Sequence, residues 1–410
     1  MTGSIIARHK RSLTSGVVMK EVVDSTIAKC MLLMLCACTG LQGQLPPRDQ
    51  ISRGAQNFGL QSQPGDVAFR VDEQAEQDLR KGTDLTHKGA FTEAISHLLA
   101  AYGKVQNEYA AGFNLALCYV ATSQPKLAIP ILNDLRIQGH DNVDVNNLLA
   151  QAYVGDSQDE KALDALRRAA SLNPTNEKLY VFVADACTAK ENYVLGLQVV
   201  DLGMTQLPNS ARLHFERAMF LSSLDRFDNA KRDFELAQSL APDSDVAFMA
   251  AAQQAMFEGD VADAVRAARK GIGTGHQDFM LLTLLGEALL RGGITPGQPE
   301  FDEARDALER AVTERANYPS AQLTLGKLYL TAGRVEDAIA HLEIARQLNP
   351  GNPAIYSNLA TAYRREGRPS QAQDALETLA KLNQAQAEKI RNAPGDRKAG
   401  YAEADRQQHQ

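Results

Sequence analysis

A period of 34 residues constrains this chain more than any other feature of its sequence. Proline recurs at Pro174, Pro208 and Pro242, and the same register, extended in both directions, accounts for residues 75–386. A chain with such a period builds one small structural unit many times, and each unit must bury its apolar surface against its neighbours. The register divides the chain into nine predicted units, at 75–108, 109–142, 143–176, 177–210, 211–244, 245–278, 279–318, 319–352 and 353–386.

Two places in every unit carry a small residue. The eighth place is always Gly or Ala: Gly82, Ala116, Ala150, Ala184, Ala218, Ala252, Gly286, Gly326 and Ala360. The twentieth place is also always Gly or Ala: Ala94, Ala128, Ala162, Gly196, Ala230, Ala264, Ala304, Ala338 and Ala372. Small side chains at fixed places let two helix backbones approach closely, so each unit is predicted to be a pair of antiparallel helices.

Larger apolar residues and helix-ending residues follow the same register. A Leu and a Tyr four residues apart mark the packed stripe of the first helix, as in Leu115/Tyr119, Leu149/Tyr153, Leu325/Tyr329 and Leu359/Tyr363. Glycines stand where that helix must stop and turn, at Gly89, Gly259, Gly333 and Gly367. The proline near the end of a unit closes its second helix.

This spacing and choice of residues resemble the tetratricopeptide repeat. The resemblance implies an all-α solenoid of about nine helix-turn-helix repeats with a curved inner face. The Trp common at the family's fourth place is absent, and Tyr180, Phe248, Tyr356 or other residues take that place. The seventh unit contains six extra residues, Ile294 to Pro299. We expect them to extend the loop between its two helices, because lengthening a loop costs little free energy.

The resemblance also implies a binding site. In the family, the second, fifth, ninth, twelfth and thirteenth places line the inner groove, and here they carry flexible Met and other apolar residues that suit adaptable recognition. The predicted partner-binding residues are Phe113, Leu117, Phe215, Met219, Met249, Met256, Phe257, Met280, Leu290 and Leu323. The expected partner is a protein or peptide, docking as an apolar helix or an extended segment. The alternative is that these residues complete the core between neighbouring first helices. The fifth place never carries Lys, so the family's clamp for a peptide carboxylate is absent.

The N-terminal residues read as a targeting segment. Basic residues precede the apolar run Cys30 to Cys38, and the end of that run, Leu35 to Cys38, resembles a bacterial lipobox. The resemblance implies a leader at 1–38 and a lipid on Cys38, with translation starting at Met1 or Met19. A plain cleaved signal peptide and an uncleaved leader are the alternatives. Residues 39–74 are predicted to be a flexible linker whose ends lie about 30–35 Å apart, and residues 387–410 a polar tail.

The sequence offers no constellation for catalysis. It contains neither a metal-binding HExxH pair nor a strand-to-helix phosphate loop, and the glycine-rich string at 271–275 is predicted to be a turn. A mixed net charge of −7 argues against nucleic acid as a partner. Cys118 and Cys187 fall on packed places and should be buried free thiols. We therefore expect no enzyme, no metal and no cofactor.

Two classes of function remain open from the sequence. The first is a non-enzymatic adaptor, lipid-anchored in the bacterial envelope at an outer membrane facing the periplasm, that assists the assembly of an envelope machine such as a pilus or secretion system. The second is a soluble cytoplasmic interaction module. A non-catalytic partner of a glycosyltransferase is a less favoured third possibility.

Overall fold

The computed structural model describes residues 72–392, which form eighteen α-helices. The predicted leader at 1–38 with Cys38, the linker up to residue 71, and the tail from residue 393 lie outside the described residues. The helices are α1 Glu73–His87, α2 Phe91–Ala101, α3 Glu108–Ala121, α4 Pro125–Ile137, α5 Val143–Gly155, α6 Asp159–Leu172, α7 Glu177–Ala189, α8 Tyr193–Met204, α9 Ala211–Ser223, α10 Phe227–Leu240, α11 Asp245–Glu258, α12 Val261–Gly273, α13 Phe279–Arg291, α14 Pro299–Glu314, α15 Pro319–Thr331, α16 Val335–Leu348, α17 Pro353–Arg365 and α18 Pro369–Asn392.

Consecutive helices pack in pairs, and the pairs stack on one another. The first helix of each pair, called helix A, packs against the second, helix B, and each helix B packs against the helix A that follows it. This arrangement confirms the predicted all-α solenoid. Helix α1 begins at Glu73, two residues inside the stretch assigned to the linker, because Asp72 caps it by accepting hydrogen bonds from the backbone amides of Gln74 and Ala75.

The small residues at the eighth place allow helix A to lie directly against helix B. A Cβ atom built on Gly82 would lie 2.6 Å from Leu98 Cγ, and one on Gly326 would lie 2.7 Å from Leu342 Cγ. Both distances are shorter than a real carbon contact, so any larger side chain would force the helices apart. The packing explains why these two units have Gly at the eighth place, and the units that have Ala there bury it completely or almost completely.

A left-handed residue ends helix A in all nine units. The fifteenth place has a positive φ angle throughout, and its residues are Gly89, Ser123, Ser157, Glu191, Asp225, Gly259, Gly293, Gly333 and Gly367. The amide of the next residue then closes onto a carbonyl five positions back, as Gln158 N does on Tyr153 O at 2.9 Å. This bond satisfies one of the helix's terminal carbonyls. The glycines predicted to end helix A thus belong to a left-handed turn that occurs in every unit. Four units form this turn with a residue other than glycine.

Replacing Ser157 with Gly should raise the free energy of unfolding. Ser157 is exposed at φ 57°, a conformation that costs an L-residue about 1–2 kcal/mol. The added freedom of glycine in the unfolded chain offsets about 0.4–1 kcal/mol of that, so the net gain should be roughly 0.5–1 kcal/mol. Denaturant unfolding measures it, and Gly333→Ser should show the opposite change. An unchanged or lowered stability for Ser157→Gly would mean that the turn is not strained.

At the fourth place, where the family often has Trp, four of the nine units have a residue whose side chain makes the same hydrogen bond. The side chain bonds to a carbonyl six residues earlier, at the end of the preceding unit. The pairs are Tyr180 Oη with Pro174 O at 2.9 Å, His214 Nε2 with Pro208 O at 3.1 Å, Gln322 Nε2 with Ala316 O at 2.7 Å, and Tyr356 Oη with Pro350 O at 2.9 Å. This bond fastens each of these units to the one before it without a tryptophan.

The same place also joins the two helices of a unit. His214 Nδ1 lies 2.8 Å from Asp233 Oδ1 on helix B, and His341 Nδ1 lies 2.7 Å from Gln322 Oε1. Where the fourth place is Tyr180, helix B carries Gly203 opposite it, and a Cβ atom there would lie 2.7 Å from the tyrosine ring. At the fourth place, therefore, either a polar pair or an aromatic–glycine pair can join helix A to helix B of the same unit.

Five of the six extra residues of the seventh unit, 294–298, lie in the connection between α13 and α14, since α13 ends at Arg291 and α14 begins at Pro299. Gln298 Oε1 accepts a hydrogen bond from Thr295 N at 2.8 Å, and Pro299 occupies the first turn of α14, where a missing amide costs nothing. Both Cys118 and Cys187 are buried free thiols, as predicted, and burial raises the pKa of Cys118 to about 11 and that of Cys187 to about 12.

Candidate functional site

The A helices form the inner side of the solenoid. Every helix A contacts the next helix A along the chain, whereas among the described B helices only α6 and α8 approach each other comparably. Closer spacing on one side makes the stack curve toward that side. The inner face built by α1, α3, α5, α7, α9, α11, α13, α15 and α17 is therefore the candidate site.

The ten residues predicted to bind a partner fall into three groups. Six are buried in the core and leave almost no surface for a partner: Phe113, Leu117, Phe215, Met249, Met256 and Leu323. Three are half-buried against the core: Met219, Met280 and Leu290. One, Phe257, is 44% exposed. Neighbouring A helices lie so close that the inner side of each helix packs on the next one. Most apolar residues at these places are therefore buried in the core between the helices.

Phe257 opens onto a cleft between α10 and α11. Its ring stacks on that of Phe234, with centroids 6.0 Å apart, and Phe227 on the rim is 49% exposed. The ion pair between Lys231 Nζ and Glu258 Oε1, 2.9 Å long, closes one side of the cleft. The accessible aromatic surface at these units is thus a small cleft between units five and six.

A buried ion pair lies on α9, on the inner face of unit five. Arg212 Nη2 lies 2.7 Å from Glu216 Oε1, and the Glu216 side chain is only 7% exposed. Burial raises the pKa of Glu216, and the positive charge of Arg212 opposes that shift. Arg212 Nη2 also lies 3.8 Å from Met280 Sδ, which belongs to unit seven. The arginine therefore reaches past the whole of unit six.

A second arginine stands opposite, at the end of α14. The Arg315 guanidinium lies 4.6 Å from the centroid of Phe279, close enough for a cation–π interaction. Its charge interacts with Asp185 of unit four and with Asp278, whose carboxylate caps α13 by accepting a hydrogen bond from Met280 N at 2.8 Å. Burial raises the pKa of both Asp185 and Asp278 and lowers that of Arg315. The inner face of units four to seven thus carries charges of both signs in a poorly solvated space.

Sequence reasoning missed these charges because a charge on a solenoid helix usually lies in water. Arg212 occupies the second place, one of the places assigned to the groove, but only apolar residues were selected there. A signal was present. Asp185 is flanked by Val181, Val183 and Ala184, and a carboxylate within such an apolar helix needs a buried partner.

The described residues show neither a metal centre nor a membrane-spanning helix. Among residues 72–392, no group of three or more His, Cys, Asp or Glu side chains is placed to hold a metal ion. Across the same range, none of the helices combines the length and the apolar character needed to cross a bilayer.

Comparison with known proteins identifies the repeats. Sequence models described as tetratricopeptide repeat match residues 143–176, 211–244, 297–353 and 332–393. No curated protein matches the chain.

Several solved structures resemble it at low identity. MamA is 22% identical, covering 42% of this chain and 96% of its own, with a TM-score of 0.33. YrrB, described as a tetratricopeptide-repeat protein with an unusual peptide-binding site, is 18% identical over 45% of this chain and 91% of its own, with a TM-score of 0.32. A tetratricopeptide-repeat protein from Parabacteroides merdae is 20% identical over 63% of this chain and 99% of its own, with a TM-score of 0.42.

Two of the matched ranges, residues 143–176 and 211–244, have the bounds of the third and fifth predicted units. The helix pairing and the small residues at the crossing places show the same repeat throughout residues 75–386. This chain therefore belongs to the tetratricopeptide-repeat proteins, whose arrays are scaffolds for protein interaction.

Proposed function

We propose that this protein is a lipid-anchored adaptor of the bacterial envelope. In this proposal a lipid on Cys38 tethers it to the outer membrane on the periplasmic side, and the repeat array holds a partner protein during the assembly of an envelope machine such as a pilus or secretion system. The observation that carries the proposal is the lipobox-like sequence Leu35 to Cys38 on the N-terminal side of a folded interaction array.

The array supports the binding half of the proposal. An apolar cleft with exposed Phe227 and Phe257 and a charged inner face at units four to seven give a partner two kinds of surface to recognise. The partner is a protein or peptide, presenting an apolar helix or an extended segment. We assign no catalysis to the array and propose that any enzymatic activity, including that of a glycosyltransferase, resides in a partner.

Changing Cys38 to Ser should move the protein from the membrane fraction to the soluble fraction. The thioether that would carry the lipid cannot form on serine, and stable anchoring requires the acyl chains. Cell fractionation followed by intact-mass measurement tests this, with a diacylglycerol adduct expected on the wild-type chain. Cys36→Ser is the matched control and should stay anchored, because only Cys38 has Ala37 directly before it and Leu35 three places back.

The same experiment decides between the anchored and the soluble protein. If neither variant leaves the membrane, or both do, Cys38 is not the anchor. A wild-type chain that is soluble and carries no lipid would favour the cytoplasmic interaction module instead.

A further inference from the structure

Units that are not neighbours touch each other across the inner face. Arg212 of unit five lies 3.8 Å from Met280 of unit seven, measured from Nη2 to Sδ. The charges of Asp185 in unit four and Arg315 in unit seven also interact. Contacts across an intervening unit require strong curvature, because adjacent packed helices already lie about 8–10 Å apart.

A third contact joins units four and eight. Glu191 follows α7 at the left-handed turn of unit four, and Gly351 lies in the turn between α16 and α17. A Cβ atom built on Gly351 would lie 4.0 Å from Glu191 Oε1. Four successive spacings between A helices stacked in a straight row would separate these turns by about 30–40 Å, so the solenoid has curled back on itself.

We propose that these two turns form a clasp that closes units four to eight into a single turn of the solenoid, held shut by the opposite charges of Asp185 and Arg315 across the inner face. The clasp is defined by Glu191 on one side and Gly351 on the other. When it is closed, units four and eight meet at these two turns, on the border of the inner face between them. A partner reaches that face after the clasp opens, so the clasp controls access.

The charges explain why the closed form is favoured. Asp185, Glu216 and Asp278 are three carboxylates in a poorly solvated space, and Arg212 and Arg315 are the cations that interact with them. Arg212 already pairs with Glu216. Without Arg315, Asp185 and Asp278 would keep only Arg212 as an interacting cation, and the attraction between Asp185 in unit four and Arg315 in unit seven would be lost.

Chemical crosslinking tests the clasp in the full chain. Glu191→Cys and Gly351→Cys are introduced together and treated with a short bis-maleimide, and the crosslinked peptide is identified by mass after digestion. The control pair is Ser157→Cys with Gly351→Cys, because Ser157 occupies the same turn one unit earlier and is exposed. The 191/351 pair should crosslink severalfold faster than the control. Equal rates for the two pairs would overturn the clasp.

Substitutions at Arg315 test the charges that hold it. In the 191/351 background, Arg315→Gln should reduce crosslinking severalfold, Arg315→Lys should retain it because the charge remains, and Arg310→Gln should leave it unchanged because that side chain is exposed. Circular dichroism establishes that each variant is folded. Undiminished crosslinking in folded Arg315→Gln would show that these charges do not close the turn. None of these outcomes depends on the membrane anchor, so the clasp and the proposed function fail separately.

Discussion

Changing Arg212 to Met should lower the free energy of unfolding by about 3–5 kcal/mol, the usual effect of removing one partner of a buried ion pair. Methionine keeps most of the aliphatic length but removes the cation that lies 2.7 Å from Glu216 Oε1. Glu216 would then hold an uncompensated charge with its side chain 7% exposed. Denaturant unfolding followed by circular dichroism measures the loss in the transition that includes unit five.

The carboxylate, rather than lost packing, should account for that loss. Adding Glu216→Leu to Arg212→Met should restore most of the stability, since replacing both charges by apolar groups of similar shape is often neutral. Arg266→Met is the control, because Arg266 is 72% exposed and its surface pair with Asp263 contributes about 1 kcal/mol at most. If the double variant is as unstable as the single one, the loss of stability comes from lost packing and not from the unpaired Glu216 carboxylate.

The same variant should respond to pH. Burial raises the pKa of Glu216 in the folded protein, and losing Arg212 removes the interaction that opposes this shift. A raised folded pKa means that the group favours folding below its unfolded pKa of about 4.3 and loses this contribution as pH rises through the folded value. The deficit of Arg212→Met relative to wild type should therefore be largest at neutral pH and shrink as pH falls toward about 4.3.

Changing Met249 to Glu should destabilise the isolated protein by at least about 3 kcal/mol. Met249 is 1% exposed in the largest core cluster, so the variant loses buried apolar contacts and places a carboxylate in the core. Thermal or denaturant unfolding without any partner measures this. Phe257→Glu is the control, and it should cost less than about 1 kcal/mol because Phe257 is 44% exposed.

This result would decide between the two interpretations of the apolar inner residues. A destabilised free protein places Met249 in the core. A protein that is stable but captures a partner poorly would place it in the binding groove. Ser222, at the twelfth place of unit five, is also buried, and its Oγ donates a hydrogen bond to Ala218 O at 2.8 Å, so a substitution there would disturb the core as well.

The fold could be predicted from the sequence because its main constraint is local and repeated. Gly82 and Gly326 must be small since the facing Leu98 and Leu342 leave no room for a methyl group, and such a restriction recurs visibly at a fixed period. The turn after helix A was only partly predictable. Glycine marks it in five units, but Ser157 takes the same left-handed conformation and looks like an ordinary loop residue in the sequence.

The site could not be predicted to the same degree because it depends on curvature. Sequence place alone assigns Met249 and Phe257 to the same groove, whereas packing between neighbouring A helices buries the first and exposes the second. Likewise, the contact between Arg212 and Met280 joins units that are not adjacent. A periodic sequence pattern predicts the contacts that recur in every unit, but not a contact that occurs once between two distant units. Long-range contacts of this kind are properties of the whole array.

In this solenoid scaffold each unit is stabilised mainly by its neighbours, and hydrogen exchange in Ala338→Leu measures how far a local defect spreads. Ala338 is fully buried, and a Cβ atom built on Gly326 would lie 3.3 Å from Ala338 O, so a leucine would overpack unit eight and cost about 1–3 kcal/mol. We expect amide exchange to accelerate in units seven to nine and to stay at the wild-type rate in units one to three. A uniform loss of protection across all nine units would show that the units are not stabilised mainly by their neighbours.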